Sequence, residues 1–368
     1  MKKSITFVII LGLSMVVKQN PHRDDLGSLS SPTGHHEPAS LEGIEPKLAV
    51  SMLRSMILIR RAEERIADGV ASGEIRCPCH LAIGQEAVAV GVAAHLHPSD
   101  RCFGAHRSHS HYLALGGSVN RMIAEIHGKE TGCSRGMGGS MHLRDISIGL
   151  VGTVPIVGAT IPMAVGAGLS LKMDGKDGVA VAFFGDGATE EGTFHESMNL
   201  AASLPSPTVF VCEHNFFSSH LHISLRQPAS RLSRYAEAHC VPYCTVDGNN
   251  IGEMWKAAKT AVEFARAHRS PFFLECVTYR WRGHVGHRED TDVGVRRKDD
   301  LNLWKGRDPI RRCAETLSTK GVLSVSQLEK MELDVQIEVD QAWEFALSSP
   351  YPDDSALFDR VFAGGGEV

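Results

Sequence analysis

The sequence predicts an α/β fold, a mostly parallel sheet with helices on both faces, and three observations predict it. Apolar runs at Val179 to Phe184, Thr208 to Cys212, Tyr243 to Val246 and Phe272 to Thr278 lack the polar alternation of a half-exposed strand, so each has both faces buried. Helix-like stretches from Glu190 to Ala202 and from Ile251 to His268 lie between them, giving strand, helix, strand twice over. Turn residues bound the runs, as in Gly185-Asp186-Gly187 and Asp247-Gly248.

At the N-terminus, Lys2 and Lys3 precede an apolar run from Ile5 to Val17 with the length of a signal-peptide core, too short to span a bilayer. No small-residue cleavage site follows, and no disulfide framework appears later. A loose extension or misplaced start is therefore expected rather than secretion, with the protein cytoplasmic. From Lys18 to about Glu45 the chain is rich in Ser, Pro, Gly, His and charge, and residues 1–45 are expected to be a disordered extension and linker. One domain is expected over 46–350, followed by a tail over 351–368. Apolar residues at Leu48, Met52, Met56, Leu58 and Ile59 predict a helix from Leu48 to Asp68 opening that domain. Near its end, Ser326 and Glu329 suggest a capping box, ahead of Leu328, Met331, Val335, Val339 and Trp343 at helical steps.

With 368 residues, 43% hydrophobic and 22% charged, the chain can bury a large core, which excludes fibrous and wholly disordered classes. A net charge of −5 without a basic block argues against nucleic acid as a partner. The nine cysteines fit neither a CxxC pair nor a zinc ribbon, so they read as reduced thiols. The histidine pairs His35 with His36 and His220 with His222 lack the company a structural zinc site needs.

The chemistry concentrates where two strands end. Asp186 directly follows one run and Asn215 the next, and ligands of an open parallel sheet bind outside the carboxyl ends of its strands. A carboxylate and an amide oxygen suit magnesium, which takes oxygen ligands at about 2.0 to 2.1 Å and shares its octahedron with phosphate oxygens and water. Gly185 and Gly187 let backbone amides approach a phosphate, and the helix expected from near Thr189 or Glu190 aims its positive end the same way. Alone, Asp186 would read as a helix cap.

The spacing of the pair, 29 positions from 186 to 215, with Glu196, Asn199 and Ala201-Ala202 between, resembles the thiamine-diphosphate fingerprint of the alpha subunits of 2-oxo acid dehydrogenases. The resemblance runs from about Leu48 to Pro350. It includes Cys79-His80-Leu81 with Gly84-Gln85-Glu86-Ala87, then Ala105-His106-Arg107-Ser108-His109, then Gly138-Gly139-Ser140-Met141-His142. Further blocks are Val157-Gly158-Ala159 with Pro162, and Thr278-Tyr279-Arg280 with Gly283-His284 and a loop through Gly294 and Arg296.

The resemblance implies the thiamine-diphosphate-binding fold. It also implies magnesium held by Asp186, Asn215 and the backbone carbonyl of Phe217, with cofactor contacts from His80, His106, Arg107, Val157, Gly185, Gly187, Ala188, Arg280 and His284. Val157 would be the apolar prop between the cofactor's rings, against the plainer role of core packing. Arg107 and Arg280 would bind the diphosphate, and His284 would be catalytic. It further implies oxidative decarboxylation of a 2-oxo acid with acyl transfer to lipoyl, an α2β2 heterotetramer whose beta subunit contributes the activating glutamate, and a lipoyl acyltransferase partner. Neither nucleic acid nor membrane is implied as a partner.

Thr193 to Ser197 and Leu225 to Pro228 look more like pyruvate- or acetoin-type subunits than branched-chain ones. His214 stands where the family has Asn, His106 and Val295 where it has Tyr, and Val285 where mitochondrial relatives carry a phosphorylated Ser. Valine has no hydroxyl, so phosphorylation at that position is excluded. Competing readings are a two-chain thiamine-dependent carboligase or transketolase-like enzyme, distinguished by its acceptor, and a non-catalytic scaffold, which the joint presence of Asp186, Asn215, Arg107, Arg280 and His284 opposes.

Overall fold

The computed structural model describes residues 22–292 and 297–359. The N-terminal apolar run, Gly294, Val295, Arg296 and the end of the tail lie outside the described residues. Eight strands form: β1 (Arg101–Gly104), β2 (Leu150–Thr153), β3 (Ala180–Gly185), β4 (Thr208–His214), β5 (Phe217–Ser218), β6 (Leu221–His222), β7 (Tyr243–Asp247) and β8 (Phe272–Val277). Six make one sheet in the order β2-β1-β3-β4-β8-β7 with every pairing parallel, while β5 and β6 form a two-stranded antiparallel hairpin.

The unbroken apolar strands are explained by two cores. Val181, Phe183, Val209, Val211, Leu274 and Cys276 enter one; their chain neighbours Ala182, Phe184, Phe210, Cys212, Phe273 and Val277 enter the other. Alternate side chains of a strand point to opposite faces, so each face is apolar and each must be covered. The helix Ile251–His268 covers the first face over β4, β7 and β8, and the helix Thr160–Met173 covers the second over β1, β3 and β4.

β1 and β2 are not predicted by the apolar runs. Each has four residues, and Arg101, Gly104 and Gly152 interrupt the apolar signal. The helix opening the domain runs Pro46–Ser72, with proline in its first turn and Gly73 ending it at φ 82°. The helix after β3 starts at Gly192, because Asp186–Glu190 first forms a 3-10 turn. The last long helix, Val325–Ser348, is capped two residues earlier than expected. Ser324 Oγ accepts from the Gln327 amide at 3.2 Å and Gln327 Oε1 accepts from the Ser324 amide at 2.8 Å. Ser326 and Glu329 fit the same motif but both lie inside the helix.

Residues 22–45 are not the loose linker their composition predicts. Ala39, Leu41 and Ile44 are buried, and the Arg23 backbone pairs with Pro228 and Ser230. Arg307 donates to the Leu29 carbonyl, Arg311 to that of His36 and Arg312 to that of Glu37. Three distant arginines thus satisfy the segment's backbone, a form of support that local apolar content does not report. Among the described residues, no helix is long and apolar enough to cross a membrane.

Candidate active site

The sheet register sets the site. Gly185 stands level with Glu213, and Glu213 with Cys276, so the chain leaves β3, β4 and β8 at one height. Asn215, Arg280 and the residues flanking Asp186, namely Gly185 and Gly187, therefore line one cleft, which Ala105, His106 and Arg107 reach from the end of β1, while Asp186 itself is buried behind that wall. Its open volume is about 170 Å³.

Asp186 is fully buried. Its Oδ2 accepts from Arg226, which also binds Glu190, and its Oδ1 has no partner among the described residues. Asn215 donates to Gln85 Oε1 at 3.2 Å, and its own oxygen accepts from the Phe217 amide at 3.2 Å. Both are oxygen donors at neighbouring strand tips, and an unsatisfied carboxylate oxygen in a buried site is the feature a cation would complete. Gly185, Gly187, Ala188 and Phe217 line the same wall, and a Cβ at Gly185 would meet nothing within 4 Å. Val157 is 44% exposed at the cleft rather than packed in a core.

The opposite wall is cationic. Arg107 donates to the carbonyls of Leu81 at 2.5 Å and His284 at 3.2 Å, and Arg280 donates to that of Ser219 at 2.5 Å while its Nε has no partner. Among the described residues, neither guanidinium pairs with a carboxylate. Burial lowers Arg107 to about 10 and takes Arg280 well below the usual arginine range, with the positive neighbours adding to the shift at Arg280.

Between them sit His80, His106 and His284, with ring centroids 4.6 to 5.4 Å apart. Burial, then the charge of Arg107, drives them to about 3, 2 and 4 respectively. These shifts favour the neutral imidazoles near pH 7, and among the described residues His80 Nδ1 and His284 Nδ1 lack partners. Their nitrogens lie within 4.8 Å of one another, a spacing a metal could use. The neighbouring guanidinia oppose a cation there and favour an anion.

The loop carrying His284 is tied down from both sides. Asp290 accepts from the His284 amide at 2.8 Å, and the Gly286 amide donates to the Cys79 carbonyl at 2.8 Å. Arg297 donates to the carbonyls of Arg280, Trp281, Arg282 and Glu289. Gly84, at φ 96°, lets Trp281 approach so closely that a Cβ would lie 2.4 Å from its ring.

Sequence reasoning missed Arg297, Glu213 on the cleft wall, and the Arg226 contact with Asp186. Arg226 had a signal, since it lies in a family-like stretch; Arg297, in a run of basic residues, had none. His214, one of the departures, is a structural pin. It meets Glu275 at 2.9 Å, and Glu275 also accepts from the Leu232 and Ser233 amides.

The sequence profile of the family described as "Dehydrogenase E1 component" matches residues 54–355. The chain is 37% identical over 315 residues to the alpha subunit of acetoin:2,6-dichlorophenolindophenol oxidoreductase of Bacillus subtilis, covering 85% of this chain and 93% of that protein. It is 33% identical to the pyruvate dehydrogenase E1 component subunit alpha of Rickettsia felis, covering 85% of this chain and 95% of that one. The corresponding Zymomonas mobilis subunit is also 33% identical, with coverage of 94% and 97%. A match of this extent, over a site whose parts come from four strand ends, is not a shared motif on an unrelated scaffold: the chain belongs to the dehydrogenase E1 component family.

Proposed function

We propose that this chain is the alpha subunit of a pyruvate- or acetoin-type 2-oxo acid dehydrogenase, which binds the diphosphate of thiamine diphosphate through magnesium. The observation that carries this is the division of the cleft. Behind one wall, between the lining residues Gly185 and Gly187, lies the buried Asp186 carboxylate with one oxygen unpartnered among the described residues, and Asn215 lines the same cleft; Arg107 and Arg280 also line it and, among the described residues, have no acidic partner. A cation at the carboxylate and a diphosphate reaching the guanidinia would satisfy both.

The Asp186 and Asn215 side chains and the Phe217 carbonyl would ligate magnesium. Arg107 and Arg280 would bind phosphate oxygens, and Gly185, Gly187 and Ala188 would let the backbone come close. His80 and His106 would line the diphosphate side, and Val157 would support the organic rings. Bound thiamine diphosphate supplies the carbon nucleophile and electron sink for decarboxylation. His284, neutral and half-buried on a pinned loop, would accept or hold a proton beside the reacting group.

A volume of about 170 Å³ is below the ~300–1,000 Å³ of a self-contained ligand site, which supports completion by a beta subunit; an α2β2 assembly with a lipoyl acyltransferase as acceptor is what the family resemblance implies. A cytoplasmic setting accords with the free thiols. The test is co-expression with a beta-type partner, followed by a panel of 2-oxo acids and acetoin with a dye acceptor. The complex should reduce the dye with pyruvate or acetoin and magnesium, and the isolated chain should not. Steady turnover by the isolated chain would refute the shared site.

A further inference from the structure

We propose that Cys77 and Cys79 form a peroxide-oxidisable dithiol whose closure to a disulfide loosens the support of the His284 loop. The thiol chemistry stands independently, while its consequence for cofactor rests on the function proposed above.

The two sulfurs, in Cys77-Pro78-Cys79, are 3.8 Å apart and share a hydrogen bond, the one such thiol pair among the described residues. Cys79 is buried, but Cys77 is half-buried and lines a surface cleft of about 550 Å³ with Gly73, Arg76, Glu125 and Tyr351. No residue of that cleft lines the cofactor cleft, so an oxidant can reach Cys77 whether or not the latter is filled. The contact with Cys79 lowers the Cys77 thiol below its ordinary range and raises that of Cys79, which makes Cys77 the attacking sulfur.

The Cys77 thiolate would attack the O–O bond of a peroxide, forming a sulfenic acid and releasing hydroxide, which is protonated to water. Cys79 would then lose its proton and attack the sulfenyl sulfur, expelling the hydroxyl as a second water. Overall, two thiols give up two protons and two electrons, and one hydrogen peroxide takes them up to become two waters.

The reach into the site is direct. The Cys79 carbonyl accepts from the Gly286 amide at 2.8 Å, its neighbour His80 packs on His106 and His284, and the Leu81 carbonyl accepts from Arg107. A disulfide requires the sulfurs to close to about 2.0 Å. Pro78 fixes its own φ, so the adjustment falls on the backbone of Cys77 and Cys79, including the carbonyl that holds the loop.

The test uses the full chain with its beta-type partner, treated with hydrogen peroxide, alkylated and digested with trypsin. Peptide Cys77–Arg101 contains both thiols and no other cysteine. It should lose about 2 Da and take no alkyl group. Thiamine-diphosphate affinity should fall several-fold and recover with dithiothreitol. Cys77→Ser should bind like the parent and resist peroxide, while Cys240→Ser, which removes an exposed thiol, should stay sensitive. A doubly alkylated peptide, or one carrying only sulfinic or sulfonic acid, overturns the proposal. So does a disulfide that leaves the affinity of a cofactor-binding complex unchanged. A complex that binds no cofactor before oxidation would count against the proposed function instead, and the peptide mass would still decide the thiol chemistry.

Discussion

At the tip of β7, Asp247 takes Arg307 at 2.7 Å and Arg312 at 2.8 Å, all three with fully buried side chains. Beyond the tips of β1 and β8, Arg107 and Arg280 are equally buried but meet backbone carbonyls. Burial alone would raise Asp247, yet the two arginines hold it below the usual carboxylate range, whereas burial at the cleft takes Arg107 and Arg280 down. Stripping water from a charge costs several kcal/mol unless a partner compensates. The first cluster is compensated within the chain and anchors the segment 22–45. The second has no acidic partner among the described residues, which is what the proposed diphosphate site requires and a structural joint does not.

Substitution should separate the two clusters. Arg312→Met leaves the buried Asp247 with one of its two arginines and should cost about 3–5 kcal/mol, read by denaturant unfolding. Arg107→Met should cost far less stability, because no acid loses its partner. Equal destabilisation would erase the distinction drawn between them.

A smaller effect is expected at Arg280. Its replacement by Met removes a charge-assisted contact of about 1.5–3 kcal/mol, or ~10- to 100-fold in thiamine-diphosphate affinity within the complex, with the melting temperature nearly unchanged. A melting loss without an affinity loss would make Arg280 a structural residue.

The smallest effect is on pH dependence. The folded-state values of His80, His106 and His284 are depressed to about 3, 2 and 4, so below about 6.5 the unfolded chain takes up protons that the folded chain does not. Their contribution to stability is therefore full above about 6.5 and declines as pH falls toward 4. The free chain should melt at progressively lower temperature from pH 7 to pH 5, and His106→Tyr should flatten that slope. An unchanged slope would contradict the burial of a neutral imidazole at position 106.

Legibility in the sequence followed the range of the interactions. β3, β4 and β8 were readable because burial on both faces writes a continuous apolar run, and Asp186 and Asn215 because each directly follows such a run; β7 was found by its apolar residues and the Asp247-Gly248 turn, although as the edge strand it is exposed at Tyr243 and only half-buried at Cys244 and Thr245. Residues 22–45 were misread since their support comes from Arg307, Arg311 and Arg312, far along the chain. The same distance hid Arg226 on Asp186 and the four carbonyls held by Arg297. The reason for His214 in place of the family's Asn was not legible either, because its partner Glu275 lies on the adjacent strand.

The most direct test is a titration of magnesium and thiamine diphosphate into the complex formed with a beta-type partner, comparing wild type with Asp186→Ala. The account predicts at least about 100-fold weaker binding by a variant that still folds cooperatively, since Arg226 keeps Glu190. Superimposable binding curves for the two proteins would contradict it.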